Sequence, residues 1–181
     1  MVKRSALGEE DIVAEDRIRP RRQDRAMPSE AHIEAFLERA PFGFLATSVE
    51  DQPYVSPKLF WYEKATRRIY FHSAMSGRTR DSLLLNPQVC FSTAELGRLL
   101  PSENACEFGI EYASVCVFGR ARFVENQDEK KHGLRGLLQK FTHELQAEDP
   151  EPALDPEQLQ RTAVYAIEID SWSGKQRSAE A

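Results

Sequence analysis

Cysteine is scarce in this sequence: three in 181 residues, at positions 90, 106 and 116. The number is odd and no C-x-x-C occurs, which excludes a disulfide framework and a cysteine zinc cluster. The four histidines have no paired spacing, so no metal site is expected. No apolar run approaches the roughly 18 residues of a membrane span. The opening MVKRSALGEEDIVAEDR lacks the apolar stretch of a secretory signal. A soluble, reduced, cytoplasmic protein without a membrane partner is the expectation. Excess positive charge is also missing. With 24 basic and 29 acidic residues the net charge is -5, which argues against a nucleic-acid partner. G-x-G-x-x-G, G-x-x-x-x-G-K-[ST] and G-x-S-x-G do not occur, so the Rossmann, P-loop and serine-hydrolase signals are absent. No segment repeats.

What is present is core material. The hydrophobic fraction is 41%, with 10 Phe, enough for one domain of this length. Residues 1–28 mix acids with arginines and bury little, so they read as a partly disordered arm. Residues 29–175 read as a single domain and 176–181 as a tail.

A helix is expected over 29–40, because Ile33, Phe36, Leu37 and Ala40 share one helical face, with Ser29 as N-cap and Pro41 as the stop. Strands follow at 41–49, 53–62 and 67–74, joined by short polar turns that suit antiparallel neighbours. Pro57 cannot donate to a ladder, so the second strand is expected to run at an edge or bulge there. A short helix is expected over 76–87 with Ser76 as cap. A fourth strand follows at 88–96, a loop at 97–109, and a long strand at 111–125 in which Gly119 marks a bulge. A helix over 127–146 starts at Asn126, with Glu129 placed for a capping box. Asp155-Pro156 opens one more helical turn, and a last strand covers 162–169 before a polar SWSGKQR tail. This order predicts a mostly β, α+β protein: an antiparallel sheet closed into a small barrel with helices at its ends or sides.

The stretch FHSAMSGRTRDS (71–82) carries the strongest chemical signal. A strand ends, Gly77 lets a ligand approach the backbone, and a helix begins. The free N–H groups of the helix start, Arg78, Arg80 and the hydroxyls of Ser76 and Thr79 are the equipment for a phosphate. His72, just before the loop, is placed to donate a hydrogen bond or a proton to whatever binds. Trp172 is placed to close a barrel or cover a planar ligand. The three cysteines read as buried, unreactive thiols, and His132 and His143 as the solvated side of their helix.

The runs PFGFLATSVEDQPYVSPKLFWY, IYFHSAMSGRTRDSLLLNPQVCFST, EYASVCVFGRARFVENQDEKKHGL and IEIDSWSGK together resemble the pyridoxamine 5′-phosphate oxidase-like flavoproteins, nearest their nitroimidazole-resistance branch. The resemblance covers about residues 19–175. It implies a six-stranded FMN-binding split barrel and a homodimer with flavin at the subunit interface. The backbone of Val55, Ser56, Pro57, Lys58 and Leu59 would line the isoalloxazine. His72, Ser73, Gly77, Arg78 and Thr79 would hold the ribityl chain and phosphate, with Trp172 and Lys175 reaching the site from the C-terminal segment. The family pattern places a lysine where Thr79 stands. The implied activity is FMN-dependent reduction of a small planar substrate, such as a nitroaromatic, with His72 as the catalytic group. The alternative is a non-catalytic split barrel that binds flavin, heme or a deazaflavin.

Overall fold

A computed structural model of the chain describes residues 18–142 and 153–178. Most of the expected arm, His143 and residues 147–152 of the acidic loop lie outside them. The strands are β1 (Phe42–Val49), β2 (Gln52–Glu63), β3 (Arg68–Ala74), β4 (Gln88–Leu100), β5 (Gly109–Phe123) and β6 (Thr162–Arg177). The helices are α1 (Glu30–Arg39), α2 (Arg78–Leu85), α3 (Gln127–Thr142) and α4 (Pro156–Arg161). The strands form a closed antiparallel barrel in the order β1-β2-β3-β6-β5-β4. The expected mostly β barrel with flanking helices is therefore what the chain forms.

The barrel interior follows from two-residue alternation. Leu45, Phe60, Ile69, Phe71, Phe91, Val115, Val117, Tyr165 and Ile167 point inward and are buried. Phe36 and Leu37 of α1 join the same core and close one end. On the outer side, α3 lies over β2 and β3. Gly133 and Gly136 let it approach, because a Cβ there would meet the rings of Tyr70 and Trp61.

Several local expectations hold. The β5–β6 register shifts between Phe118 and Gly119, the expected bulge. Asp155 caps α4 by accepting from the N–H groups of Glu157 (2.8 Å) and Gln158 (3.0 Å). Asn126 Oδ1 accepts from the N–H groups of Asp128 and Glu129, both at 2.9 Å. The Glu129 carboxylate turns away to Tyr70 and Arg122 instead of completing a capping box.

Others are corrected. Strand β4 continues through Gly97 to Leu100, so the expected loop shortens to 101–108. Strand β6 continues through the SWSGKQR segment to Arg177, because its polar residues alternate outward while Trp172 and Gly174 point inward. Helix α2 is capped by Gly77 and not by Ser76. His132 contacts Glu63 and lies edge-on to Trp61 at 5.2 Å, so it bridges elements instead of facing water alone. Cys106 is exposed, and Cys90 and Cys116 are half-buried. Ala26 and Met27, at the end of the expected arm, dock on β6: the Met27 N–H donates to the Gly174 carbonyl at 2.9 Å.

Candidate functional site

The barrel is sealed unevenly. Strand β1 pairs with β2 along its whole length, from Phe42↔Leu59 to Val49↔Gln52. Strands β2 and β3 pair only from Phe60↔Phe71 to Glu63↔Arg68. Beyond Phe60, β3 stays with β6 as far as Ala74, while the Gln52–Leu59 half of β2 parts from it. Pro57 lies in this parted half, where its missing N–H costs no ladder bond. Helix α2 starts at the mouth of the split.

Alternation along β2 sends Tyr54, Ser56 and Lys58 to the same face. The Lys58 ammonium donates to Thr79 Oγ1 at 3.3 Å and lies 5.9 Å from the centre of the Phe71 ring. Burial lowers its pKa, so it is a cation short of compensation. Arg78 lies over the Tyr54 ring at 4.8 Å. Thr79 is buried at the first turn of α2. Gly77 has φ +112°, a conformation that L side chains rarely adopt, and nothing stands within 4 Å of where a Cβ would be. No side chain caps the helix start, so its first N–H groups have no side-chain acceptor. The Ser56 hydroxyl is buried without a partner among the described residues. The start of α2, the Lys58 ammonium, the Thr79 hydroxyl and, over Tyr54, the Arg78 guanidinium thus meet on one side of the split.

His72 sits on β3 opposite Val164, on the outer face of the sheet. Its pKa is lowered, first by burial and then by the charge of Lys58. Both causes disfavour the imidazolium, and the neutral ring offers one donor and one acceptor.

Val55, Pro57 and Leu59 alternate with Ser56 and Lys58 and point outward. Val55 and Leu59 are 55% and 51% exposed. Across the ladder, Phe42 faces Leu59 and Phe44 faces Pro57, each Phe 44% exposed. The outer face of the β1–β2 hairpin is thus an apolar plate.

Trp172 and Lys175 do not join this group within the chain. Trp172 is buried under α1, donates Nε1–H to Glu30 at 3.3 Å and carries the Arg67 guanidinium over its ring at 4.3 Å. Lys175 lies on the opposite face of β6, across from Ser114. Sequence reading missed Tyr54 as the platform for Arg78. The signal available was its two-residue spacing from Ser56 and Lys58.

An antiparallel six-stranded barrel that parts between β2 and β3 defines the class. The family model for pyridoxamine 5′-phosphate oxidase matches residues 29–176, and the chain belongs to that family. No curated protein matches the sequence. Among solved structures, the flavocytochrome Anf3 from Azotobacter vinelandii is 25% identical with a TM-score of 0.77, over 91% of this chain and 75% of that one. A candidate 5-nitroimidazole antibiotic resistance protein from Bacteroides thetaiotaomicron is 23% identical with a TM-score of 0.69, over 86% and 90%. An FAD and heme binding protein from Mycobacterium smegmatis is 20% identical with a TM-score of 0.74, over 86% and 74%. The latter two likenesses show the shared fold. Among the described residues, no helix is long and apolar enough to cross a membrane, and no group of three or more His, Cys, Asp or Glu side chains is placed to hold a metal ion.

Proposed function

We propose that this protein binds FMN at the β2–β3 split as a homodimer and serves as an oxidoreductase for a small planar substrate of the nitroaromatic kind. The observation that carries the reading is the Lys58–Thr79 contact. The resemblance calls for a lysine at position 79, and here β2 delivers an ammonium to that same spot from the other side of the split. Lys58 and Arg78 would take the phosphate charge, and the N–H groups at the start of α2 with Ser73 and Thr79 would take its remaining oxygens. The unpartnered Ser56 hydroxyl offers a further bond to a ligand in the split. A dianion beside Lys58 offsets the burial that disfavours its charge.

Bound flavin would supply the electrons. The chain's own residues bind, orient and exclude water. The parted half of β2 presents backbone groups to the ring edge. The apolar plate of Phe42, Phe44, Val55 and Leu59, covered by a second copy, would keep the site dry. His72 would orient the substrate by a hydrogen bond and, when protonated, give a proton from an imidazole nitrogen. Lys175, outward on β6, is available to the partner's site. Three unpaired cysteines suit a reducing compartment, the cytoplasm.

The test is the visible absorption spectrum of the purified protein before and after denaturation. A flavin spectrum released as free FMN supports the reading. A colourless protein whose thermal stability does not move with added FMN overturns it, because a ligand of the folded state must raise stability. A second reading, a heme- or FAD-binding split barrel without this activity, is favoured by the names of the Azotobacter and Mycobacterium neighbours. It predicts a Soret band or released FAD.

A further inference from the structure

One cavity lies where the end of α1, the paired half of β2 and the last turns of α3 meet. Its volume is about 580 Å³. Pro41, Trp61, Tyr62 and Phe141 wall it, and Lys140 lines it from α3. Local sequence builds the place. Gly136 has no Cβ, so α3 settles against the Trp61 ring. Lys140 follows one helical turn later on the same face. Its Nζ stands 3.8 Å from the centre of the Phe60 ring and 5.8 Å from that of Phe141. It donates to the Leu37 carbonyl, in the last turn of α1, at 3.2 Å. Phe60 and Leu37 are fully buried, so this nitrogen has apolar surroundings. The charged groups of the rim are Glu38 and Arg39, and Arg39 pairs with Glu95. Burial brings the Lys140 pKa down to about 8, which leaves about a tenth of the side chain as unprotonated amine at neutral pH.

We propose that Lys140 is a covalent site for a small aromatic aldehyde, held as an imine in the cavity between α1, β2 and α3. An amine desolvated among aromatic rings is the form of lysine that attacks a carbonyl. The Nζ lone pair adds to the carbonyl carbon. The two amine hydrogens pass to the carbonyl oxygen, which leaves as water, and a C=N bond remains. Nothing is oxidised or reduced, and water reverses the step. The rings of Trp61, Tyr62 and Phe141 favour a flat ring on the carbonyl carbon over an alkyl chain. The cavity has the size and the mostly apolar walls of a small-molecule site. None of its lining residues belongs to α2 or to the parted half of β2, so the flavin reading is not needed for this step.

The test incubates the folded, full-length protein with benzaldehyde and cyanoborohydride, which reduces an imine to a stable benzylamine, and locates the modified lysines by peptide mapping. Lys64, 60% exposed and paired with Glu34, is the internal reference. Lys140 is expected to be benzylated about tenfold faster than Lys64. Benzaldehyde is expected to outpace propanal at Lys140 once each is scaled to its rate at Lys64. In urea the advantage of Lys140 should vanish. Phe141→Ala removes one wall and leaves the amine, so it is expected to slow Lys140 severalfold with Lys64 unchanged. Thermal unfolding establishes that this variant folds. Four results would overturn the proposal: Lys140 no faster than Lys64, an advantage that survives in urea, no preference for benzaldehyde over propanal, or an unchanged rate in folded Phe141→Ala. The wild-type comparisons stand even if the variant fails to fold.

Discussion

Lys58 shows how much a single residue's meaning depends on what lies across from it. In the sequence it is one member of an apolar, aromatic strand, and only its backbone had an expected role. In the fold its ammonium reaches the start of α2 and meets Thr79. The sequence shows that Thr79 departs from the family pattern but not that a lysine 21 positions earlier fills the gap, because the two come together only when the barrel splits. A charge-assisted bond to phosphate contributes about 1.5–3 kcal/mol. Lys58→Met is therefore expected to weaken FMN binding by about tenfold to a hundredfold. The ligand-free protein should hold its stability, because removing a half-buried ammonium relieves its desolvation. Fluorescence titration of FMN with both proteins measures the first effect and thermal unfolding the second. An unchanged dissociation constant would mean that the phosphate does not sit against Lys58. Gly77 was legible as a position where the backbone needs glycine's freedom, and its positive φ agrees. Trp172 was not legible, because an aromatic after a strand reads the same whether it covers a ligand or, as here, packs under a helix.

Elements were legible where apolar period alone decides them. Helix α1 and strands β1 to β3 lie within a residue or two of their expected bounds. The ends of β4 and β6 were hidden because their exposed residues are polar or isolated, and only pairing with β5 makes them strands. The docking of α3 was hidden for a different reason: its anchors are side chains from three strands. Glu129 accepts from Tyr70 Oη at 3.1 Å and from both terminal nitrogens of Arg122 at 2.6 and 3.1 Å, and Arg122 also donates to Glu168 at 3.2 Å. Chiefly through Arg122, the Glu129 carboxyl is held below the usual carboxylate range. A lowered carboxyl pKa means that the unfolded chain binds the proton more tightly. The stabilisation is then complete above the unfolded value of about 4.3 and is lost as pH falls through the lower folded one. Glu129→Gln is expected to cost about 1 kcal/mol at neutral pH, with the gap to wild type closing as the pH drops below about 4. Urea midpoints at neutral and acid pH decide it. A gap that does not change with pH would assign the effect to packing instead of charge.

At the scale of the molecule, the barrel presents its β1–β2 hairpin to solvent with Phe42, Phe44, Val55 and Leu59 about half exposed. The register makes them one surface: Phe42 beside Leu59, Phe44 beside Pro57, Ala46 beside Val55, with the two Phe rings edge to face at 5.6 Å. Continuous apolar surface of this kind marks an interaction site. Its position makes it more than a sticky patch. The residues that alternate with Val55, Pro57 and Leu59 on β2 are Ser56 and Lys58, so the same strand carries the plate on one face and, on the other, the lysine that meets Thr79. A second copy of this chain seated on the plate would hold the parted half of β2 in place and close the split from outside. Assembly and cofactor binding should then be coupled. Leu59→Asp puts an unpaired charge at the centre of the plate without touching the barrel interior. It is expected to shift the protein from dimer to monomer in analytical ultracentrifugation and to weaken FMN binding at least tenfold, a loss of about 1.4 kcal/mol. Wild-type FMN affinity should likewise fall on dilution below the dimer dissociation constant. If Leu59→Asp is monomeric and binds FMN as tightly as wild type, each subunit completes its own site and the plate serves some other contact. If wild type is itself a monomer at micromolar concentration yet binds FMN, the coupling fails while the reading of Lys58, Arg78 and Thr79 as phosphate ligands stands.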